Sequence, residues 1–466
     1  MGMLGLALDL GTRAQGGGIT SLPGISSPYY AVRAMRRLVP DYAGPAIRVR
    51  SSGAVESDIN FLASGELDYT TLNAVAAPTL VTMYDQTGNG FHLTQATAGS
   101  QPVMSALGDY RGRRPAMFPY AAASSRILTC AGMSVPRPDH THFMVLDPEL
   151  SAGGDTVGNG HHEFYNGVST NYDSLYTTTA KLKGNAGGSL MTAAWAPASM
   201  PQVMALISRG SGRVLRSQNK RSTGAVLAAQ AMTNQRIGAS TFGANFRARQ
   251  MRLWADIVIA AGISDGEADA VQSALESLFN LPLSYTSAIH LVGNSLDEGW
   301  NSTFLQNSYF NAAFSGSPRV YNYGIGGKLE SSMITDFAAY IVPNIEAGMR
   351  NVLADDGGSN DIAAAVDPAV LYASLTAYHA AARAAGMNKI VRPTILPRTG
   401  FDVAPINALI LANTVGADRV VDFTVIPGLT DPTNATYFDP DQIHLTNAGH
   451  ALRGAAMVGG VNAVLA

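Results

Sequence analysis

The chain has almost no cysteine. A single Cys130 in 466 residues leaves no partner for an internal disulfide, so the fold must hold by packing and hydrogen bonding. Charge is scarce as well: Asp, Glu, Lys and Arg together make up 14% of the residues, against about 25% in ordinary soluble domains. With a formal net charge of -3 and no basic patch, the composition excludes a nucleic-acid partner. The thin surface charge suits faces that are covered in an assembly. Long apolar runs are missing too, and no stretch reaches the roughly 18 residues that would suggest a membrane span. Met1 to Leu10 is briefly apolar, but no positive charge leads it and no convincing cleavage site follows, so a secretory signal is not expected. Neither a cofactor nor a metal is expected.

At 466 residues the chain exceeds one ordinary domain, and its character changes near residue 285. Beyond that point short apolar runs alternate with helix-forming stretches. Ser287 to Val292 ends at Gly293, and Arg319 to Tyr323 ends in Gly324-Ile325-Gly326-Gly327; Lys389 to Leu396 and Arg419 to Val425 are two further β-rich runs. Such runs suit buried parallel strands. Asp367 to Ala385 predicts a helix bounded by Gly386, and Thr446 stands where it would cap a last helix over Ala448 to Leu465. The alternation predicts a doubly wound α/β/α sandwich over 286–466.

The chemistry-bearing residues of this half fall in four places. Gly293-Asn294-Ser295 supplies a hydroxyl, and Asp441-Gln442-Ile443-His444 supplies an imidazole with a carboxylate three residues before it. A hydroxyl is a poor nucleophile at neutral pH and needs such a base, held by such a carboxylate. Gly326-Gly327 and Gly358-Ser359-Asn360-Asp361 offer a backbone N–H and a side-chain amide, suitable donors for a developing oxyanion. Each piece alone is weak. Together and in this order they resemble the four blocks of the SGNH (GDSL-type) hydrolase superfamily. The resemblance implies Ser295 as nucleophile, His444 as base and Asp441 as its orienter, with Ser295, Gly327 and Asn360 forming the oxyanion hole. The first block of that superfamily usually reads Gly-Asp-Ser, and Asn294 replaces the aspartate here. His290 is expected to be a strand residue, His450 a helix-packing residue, and Asp355-Asp356 a solvated turn.

In the first half, Gly-, Ser- and Thr-rich segments separate short β-prone runs such as Thr141 to Leu146 and Ala255 to Ala261, which predicts an all-β sandwich. Ser264-Asp265-Gly266-Glu267 has the pattern of a capping box opening a helix to about Phe279. A strand, this turn and one amphipathic helix resemble the closing segment of laminin-G-like or concanavalin-like jelly rolls. The stretch Tyr84 to Ala96, and Gly158-Asn159-Gly160-His161-His162-Glu163, are similar to segments of the α-L-arabinofuranosidase B family. Glycosidase activity does not carry over, because neither stretch places that family's acidic residues. Asp85, Asn89 and His92 could line a glycan or calcium site, or form an Asx-turn network. His161, His162 and Glu163 suit a structural or surface role, since neighbouring strand residues face opposite ways.

The expected organisation is therefore an N-terminal docking or linker segment (1–25), a jelly-roll sandwich (26–284) and a flavodoxin-like α/β/α SGNH-type hydrolase domain (286–466). Pro45 to Arg50, Ser57 to Phe61 and the opening Met3 to Leu8 with Gly11 to Gly18 resemble modules of phage and prophage tail proteins. These resemblances imply a carbohydrate esterase, an O-deacetylase acting on an acylated surface polysaccharide from a virion tail or outside a cell, with other tail proteins as partners and a homotrimer as the assembly. A receptor-binding or structural tail protein without catalysis is the alternative.

Overall fold

A computed structural model describes residues 21–104, 117–118, 127–148, 158–165, 172–177, 182–186, 189–193, 201–217, 220–225, 230–237, 246–247, 251–281, 285–298, 314, 318–414 and 416–466. Residues 1–20 of the expected docking segment, and most of the loop from Asp297 to Phe310, lie outside them.

The strands between Tyr29 and Ile259 belong to one extensive, mostly antiparallel hydrogen-bonded system. At its centre His140–Pro148 pairs with Gln202–Arg209 on one side and Met251–Ile259 on the other. Alternation explains why successive residues in the middle of these strands are apolar. Met144, Leu146, Met204 and Leu206 face one core, while Phe143, Val145, Val203, Ala205 and Ile207 face another. A strand with period-two side chains can bury both faces only if each is covered. The second face is covered by the helix Asp265–Leu278, which presents Ala268, Val271, Leu275 and Leu278 to that core. This helix opens on a complete capping box between Ser264 and Glu267, satisfying N–H groups that have no partner inside the helix. Buried charge here is paired, with Arg33 on Asp256 and His142 Nε2 2.5 Å from the same carboxylate.

From Ser287 onward the chain builds a separate five-stranded parallel sheet. Its spatial order is Arg319–Asn322, Ser287–Gly293, Arg350–Asp356, Lys389–Pro393 and Arg419–Val421. Numbered along the chain this is 2-1-3-4-5, the flavodoxin-like doubly wound order. Ile289, Leu291, Val352, Ala354 and Val391 point to the side of the last helix, Asn447–Leu465. Ala288, Val292, Leu353 and Ile390 point to the side of Tyr378 and Ala382 on the helix Pro368–Ala384. Both faces are thus buried, as parallel sheets require. The molecule is multidomain, with several sheets.

Two expected strands are shorter than their apolar runs suggest. The run from Lys389 stays in the strand only to Pro393, and its last link to the neighbouring strand is the Thr394 N–H donating to the Val421 carbonyl at 2.9 Å. Beyond Val421, Asp422 accepts the Thr424 N–H at 2.9 Å and turns the chain into a short 3-10 helix, Phe423–Val425. Asp355-Asp356 is not a solvated turn. Both residues are buried at the end of the strand Arg350–Asp356, where they meet arginines. His290 does lie in a strand and His450 in the last helix, both fully buried.

Candidate active site

In a doubly wound sheet the crevice for ligands opens at the carboxyl ends of the strands, where the strand order reverses. Here that point lies between the strands Ser287–Gly293 and Arg350–Asp356, and the four sequence segments converge on it. Ser295 follows the first strand, Gly327 the second and Asn360 the third; His444 precedes the last helix.

His444 Nε2 lies 2.9 Å from Ser295 Oγ, and His444 Nδ1 lies 2.5 Å from Asp441 Oδ2. A carboxylate only accepts, so Nδ1 carries the proton and Nε2 accepts from the Ser295 hydroxyl. The other carboxylate oxygen, Oδ1, accepts the Ile443 and His444 N–H groups at 3.0 and 2.9 Å. Partial burial pushes the Asp441 carboxyl up, but the bonds from the ring and both N–H groups outweigh it and hold the group below its ordinary value. The carboxylate therefore stays ionised beside the ring.

Ser295 begins the short helix Ser295–Glu298, and Asn294 controls how the chain enters it. Asn294 Oδ1 accepts the Leu296 N–H at 3.0 Å, while Nδ2 donates to the Asp356 carbonyl at 3.0 Å. An aspartate could make the first bond and not the second. The substitution noted in the first block thus adds a donor that ties the Ser295 loop to the neighbouring strand. Asn294→Asp is expected to cost about 1–3 kcal/mol, because a buried carbonyl loses its donor and a third carboxyl joins Asp297 and Asp356. Urea denaturation checks this, and an unchanged midpoint would contradict it. Gly293 has a steric reason as well: a Cβ there would lie 1.8 Å from Asp297 Oδ2.

Gly327 and Asn360, the expected oxyanion donors, are held from behind. Gly327 has φ +77°, and a Cβ built on it would meet nothing within 4 Å, so a ligand can approach its backbone closely. Asn360 Nδ2 donates to the Lys328 carbonyl at 2.9 Å, leaving one amide hydrogen uncommitted in that bond. Asp361 Oδ2 accepts the Glu330 N–H at 2.9 Å, so the second- and third-block loops are joined twice. Asn322 joins the second block to the helix Ser295–Glu298, its Nδ2 donating to the Asp297 carbonyl at 3.1 Å.

Beneath lies a charge network that sequence reasoning missed. Arg453 on the last helix binds Asp297 Oδ1 at 2.5 Å and also grips Asp356, all three buried. Burial, more than the neighbouring Asp297, pushes Asp356 up to about 7, while Arg453 opposes the shift. Further along, Arg392 Nη1 donates to Asp355 Oδ2 at 2.9 Å and His379 Nε2 lies 3.0 Å from the same oxygen. Neither oxygen of the fully buried Glu330 has a hydrogen-bond partner, and burial followed by repulsion from Asp355 holds its carboxyl far above the usual range. Arg453 and its partners are 156 and 97 residues apart in sequence, so no local spacing announces them.

The β-rich half is arranged differently around its candidate residues. Asp85 is buried, and its oxygens accept the N–H groups of Val32, Thr87 and Phe91. Its bond from the Thr87 N–H is an Asx turn. Asn89 Nδ2 donates to the Tyr30 carbonyl, and His92 Nδ1 accepts the Asp85 N–H. Asp85 and Asn89 staple the loop to the strand Tyr29–Ala34, His92 closes the loop on itself, and every polar contact named here is internal. His161, His162 and Glu163 lie on the strand Gly158–Tyr165, whose pairing shifts register between Gly160 and His162. Among the described residues no group of three or more His, Cys, Asp or Glu is placed to hold a metal ion, and no helix is long and apolar enough to cross a membrane.

Fold and site together define a class: a doubly wound α/β/α unit with a serine, histidine and aspartate in hydrogen-bonded series at its ligand edge, joined to a β-rich unit. No protein-family profile and no curated protein matches the chain. Among solved structures it is similar to a GH54 α-L-arabinofuranosidase, at 15% identity and a TM-score of 0.44, over 54% of this chain and 63% of that one. The chain thus spans less than two thirds of that enzyme. It is also similar to a GDSL-like lipase from Bacteroides thetaiotaomicron, at 17% identity and a TM-score of 0.31, over 38% of this chain and 89% of that one. A family 3 carbohydrate esterase from Clostridium thermocellum matches at 14% identity and a TM-score of 0.31, over 38% of this chain and 96% of that one.

Proposed function

We propose that the protein is a carbohydrate esterase that removes O-acetyl or another small acyl group from a surface polysaccharide through a serine acyl-enzyme. The observation that carries this reading is the Ser295–His444–Asp441 series, at 2.9 and 2.5 Å. Ser295 Oγ attacks the acyl carbonyl carbon as its proton passes to His444 Nε2. Negative charge gathers on the carbonyl oxygen, where the N–H groups of Ser295 and Gly327 and the Asn360 amide receive it. The bond to the sugar oxygen breaks, and His444 returns the proton to that oxygen. Water, deprotonated by the same imidazole, then attacks the acyl-serine; the acyl–Oγ bond breaks, His444 returns the proton to Ser295 Oγ, and the acid leaves. His444 is both base and acid, which the fixed Nδ1–Asp441 bond permits.

The glycan part of the proposal rests on the β-rich half and its sequence resemblance to sugar-handling modules. The resemblance of Pro45 to Arg50, Ser57 to Phe61 and the opening Met3 to Leu8 to tail modules supports a setting in a phage tail, which would bring other tail proteins and a homotrimer as partners. The test is acetate release from O-acetylated surface polysaccharides, followed by NMR of the acetyl methyl signal, with the same polysaccharide chemically de-acetylated as control. Loss of the O-acetyl signal with equimolar free acetate is the expected result. An intact signal across a panel of O-acetylated glycans, with p-nitrophenyl acetate still cleaved, would remove the carbohydrate from the proposal.

A further inference from the structure

One loop touches both arms of the site, and neither the four sequence blocks nor the mechanism uses it. Arg398 and Thr399 lie in the turn between the strand Lys389–Pro393 and the helix Ala404–Ala412. Arg398 Nη1 donates to the Ser359 carbonyl at 2.7 Å and to Ser359 Oγ at 3.1 Å, and lies 3.5 Å from Asn360 Oδ1. The next residue reaches the other way, with Thr399 Oγ1 donating to Gln442 Oε1 at 2.5 Å. Gln442 stands between Asp441 and His444 with φ +56°, a conformation that costs a non-glycine residue energy unless neighbours hold it. The guanidinium is half-buried and packs 5.5 Å from the Phe401 ring centre, so its position is restrained from behind as well.

The Asn360 amide is thereby pinned at both ends. Its oxygen faces a cation and its nitrogen donates to the Lys328 carbonyl at 2.9 Å. Only this orientation presents an N–H to an oxyanion; a flipped amide would present an oxygen, which repels it. A preorganised donor is worth roughly 10²- to 10³-fold in rate only while it stays aimed.

We propose that Arg398 is a positioning residue for the oxyanion hole: it acts through Asn360, and with Thr399 it straps the oxyanion arm to the Asp441–His444 arm. The proposal rests on the esterase reading above. If Arg398 works through Asn360, the two substitutions cannot be additive, because residues acting as a unit lose their effect together.

The experiment is a double-mutant cycle on p-nitrophenyl acetate with Arg398→Met, Asn360→Ala and the pair, alongside Ser295→Ala. Arg398→Met is expected to lower kcat about tenfold with KM within about twofold, and to lower it less than twofold once Asn360 is alanine. Methylguanidinium should restore part of the lost rate to Arg398→Met and none to the double variant. Equal losses in both backgrounds, or a raised KM at constant kcat, would overturn the proposal and make Arg398 an independent or substrate-binding group. Should Arg398→Met fail to fold, Arg398→Lys run through the same cycle decides, with melting temperatures measured throughout. Activity that survives Ser295→Ala would instead defeat the esterase reading, so the two failures are separable.

Discussion

Ser295→Ala is expected to lower kcat on p-nitrophenyl acetate by about 10³-fold or more while KM stays within a few-fold, since the substitution removes the attacking atom and leaves the pocket in place. The size follows from what remains. Without Oγ the imidazole can still deprotonate water, and the oxyanion donors still stabilise a tetrahedral intermediate. In serine proteases those remnants leave roughly 10³- to 10⁴-fold catalysis over water. His444 is 15% exposed and Asp441 38%, so their hydrogen-bonded geometry does not depend on the serine for burial. The variant should therefore fold normally, and its melting temperature should match the parent. Covalent labelling gives a second readout: an organophosphate should add one equivalent to the parent, on the peptide carrying Ser295, and none to the variant. Equal turnover in both proteins would end the assignment of Ser295 and leave the alternative of a glycan-adhering protein with an idle site.

Arg453→Met should give the largest loss of stability. One guanidinium with no exposure lies between Asp297 and Asp356, and removing it leaves two carboxyl groups facing each other out of water. Breaking a buried pair by deleting one partner typically costs about 3–5 kcal/mol. For a unit of 150–250 residues that corresponds to a drop in melting temperature of roughly 10 °C. Activity should fall as well, because Asp297 Oδ2 accepts the Asn294 N–H at 3.1 Å and so holds the residue before the nucleophile. The effect should grow with pH. Asp356 is raised to about 7 in the folded protein, whereas an unfolded aspartate titrates near 3.9. Between those values the folded state binds more protons than the unfolded one, so stability from this group is complete below about pH 4 and lost as pH rises through about 7. Melting temperatures should accordingly fall from pH 6 to pH 8 in the parent, and further in Arg453→Met, while Asp356→Asn should flatten that slope. A variant melting within about 2 °C of the parent at pH 8 would show that the network carries no such energy.

Local chemistry was legible wherever a feature spans a few residues. The capping box at Ser264, the cap at Thr446, the helix-forming stretch from Asp367 and the apolar run ending at Gly293 each use contacts within a few turns or one strand, and the elements form there. Asp355-Asp356 misled for the same reason in reverse. Two adjacent aspartates look like a solvated turn when nothing nearby can neutralise them, and their arginines come from Arg392 and from Arg453, 97 residues later. Asn294 was visible as a departure, yet its meaning was not, because the carbonyl it serves belongs to Asp356 in the next strand of the sheet.

Legible along the chain are an inventory and its order: a hydroxyl, glycine and amide donors, and a carboxylate three residues before an imidazole, set among alternating strands and helices. Those are properties of composition and short spacing. It takes the folded chain to set Ser295 Oγ and His444 Nε2 2.9 Å apart across 149 residues, to make Asp85 staple a loop, and to bring Arg398 and Thr399 between the two arms. The physical reason is that register and strand order bring distant side chains together, whereas sequence patterning specifies mainly which faces must be buried.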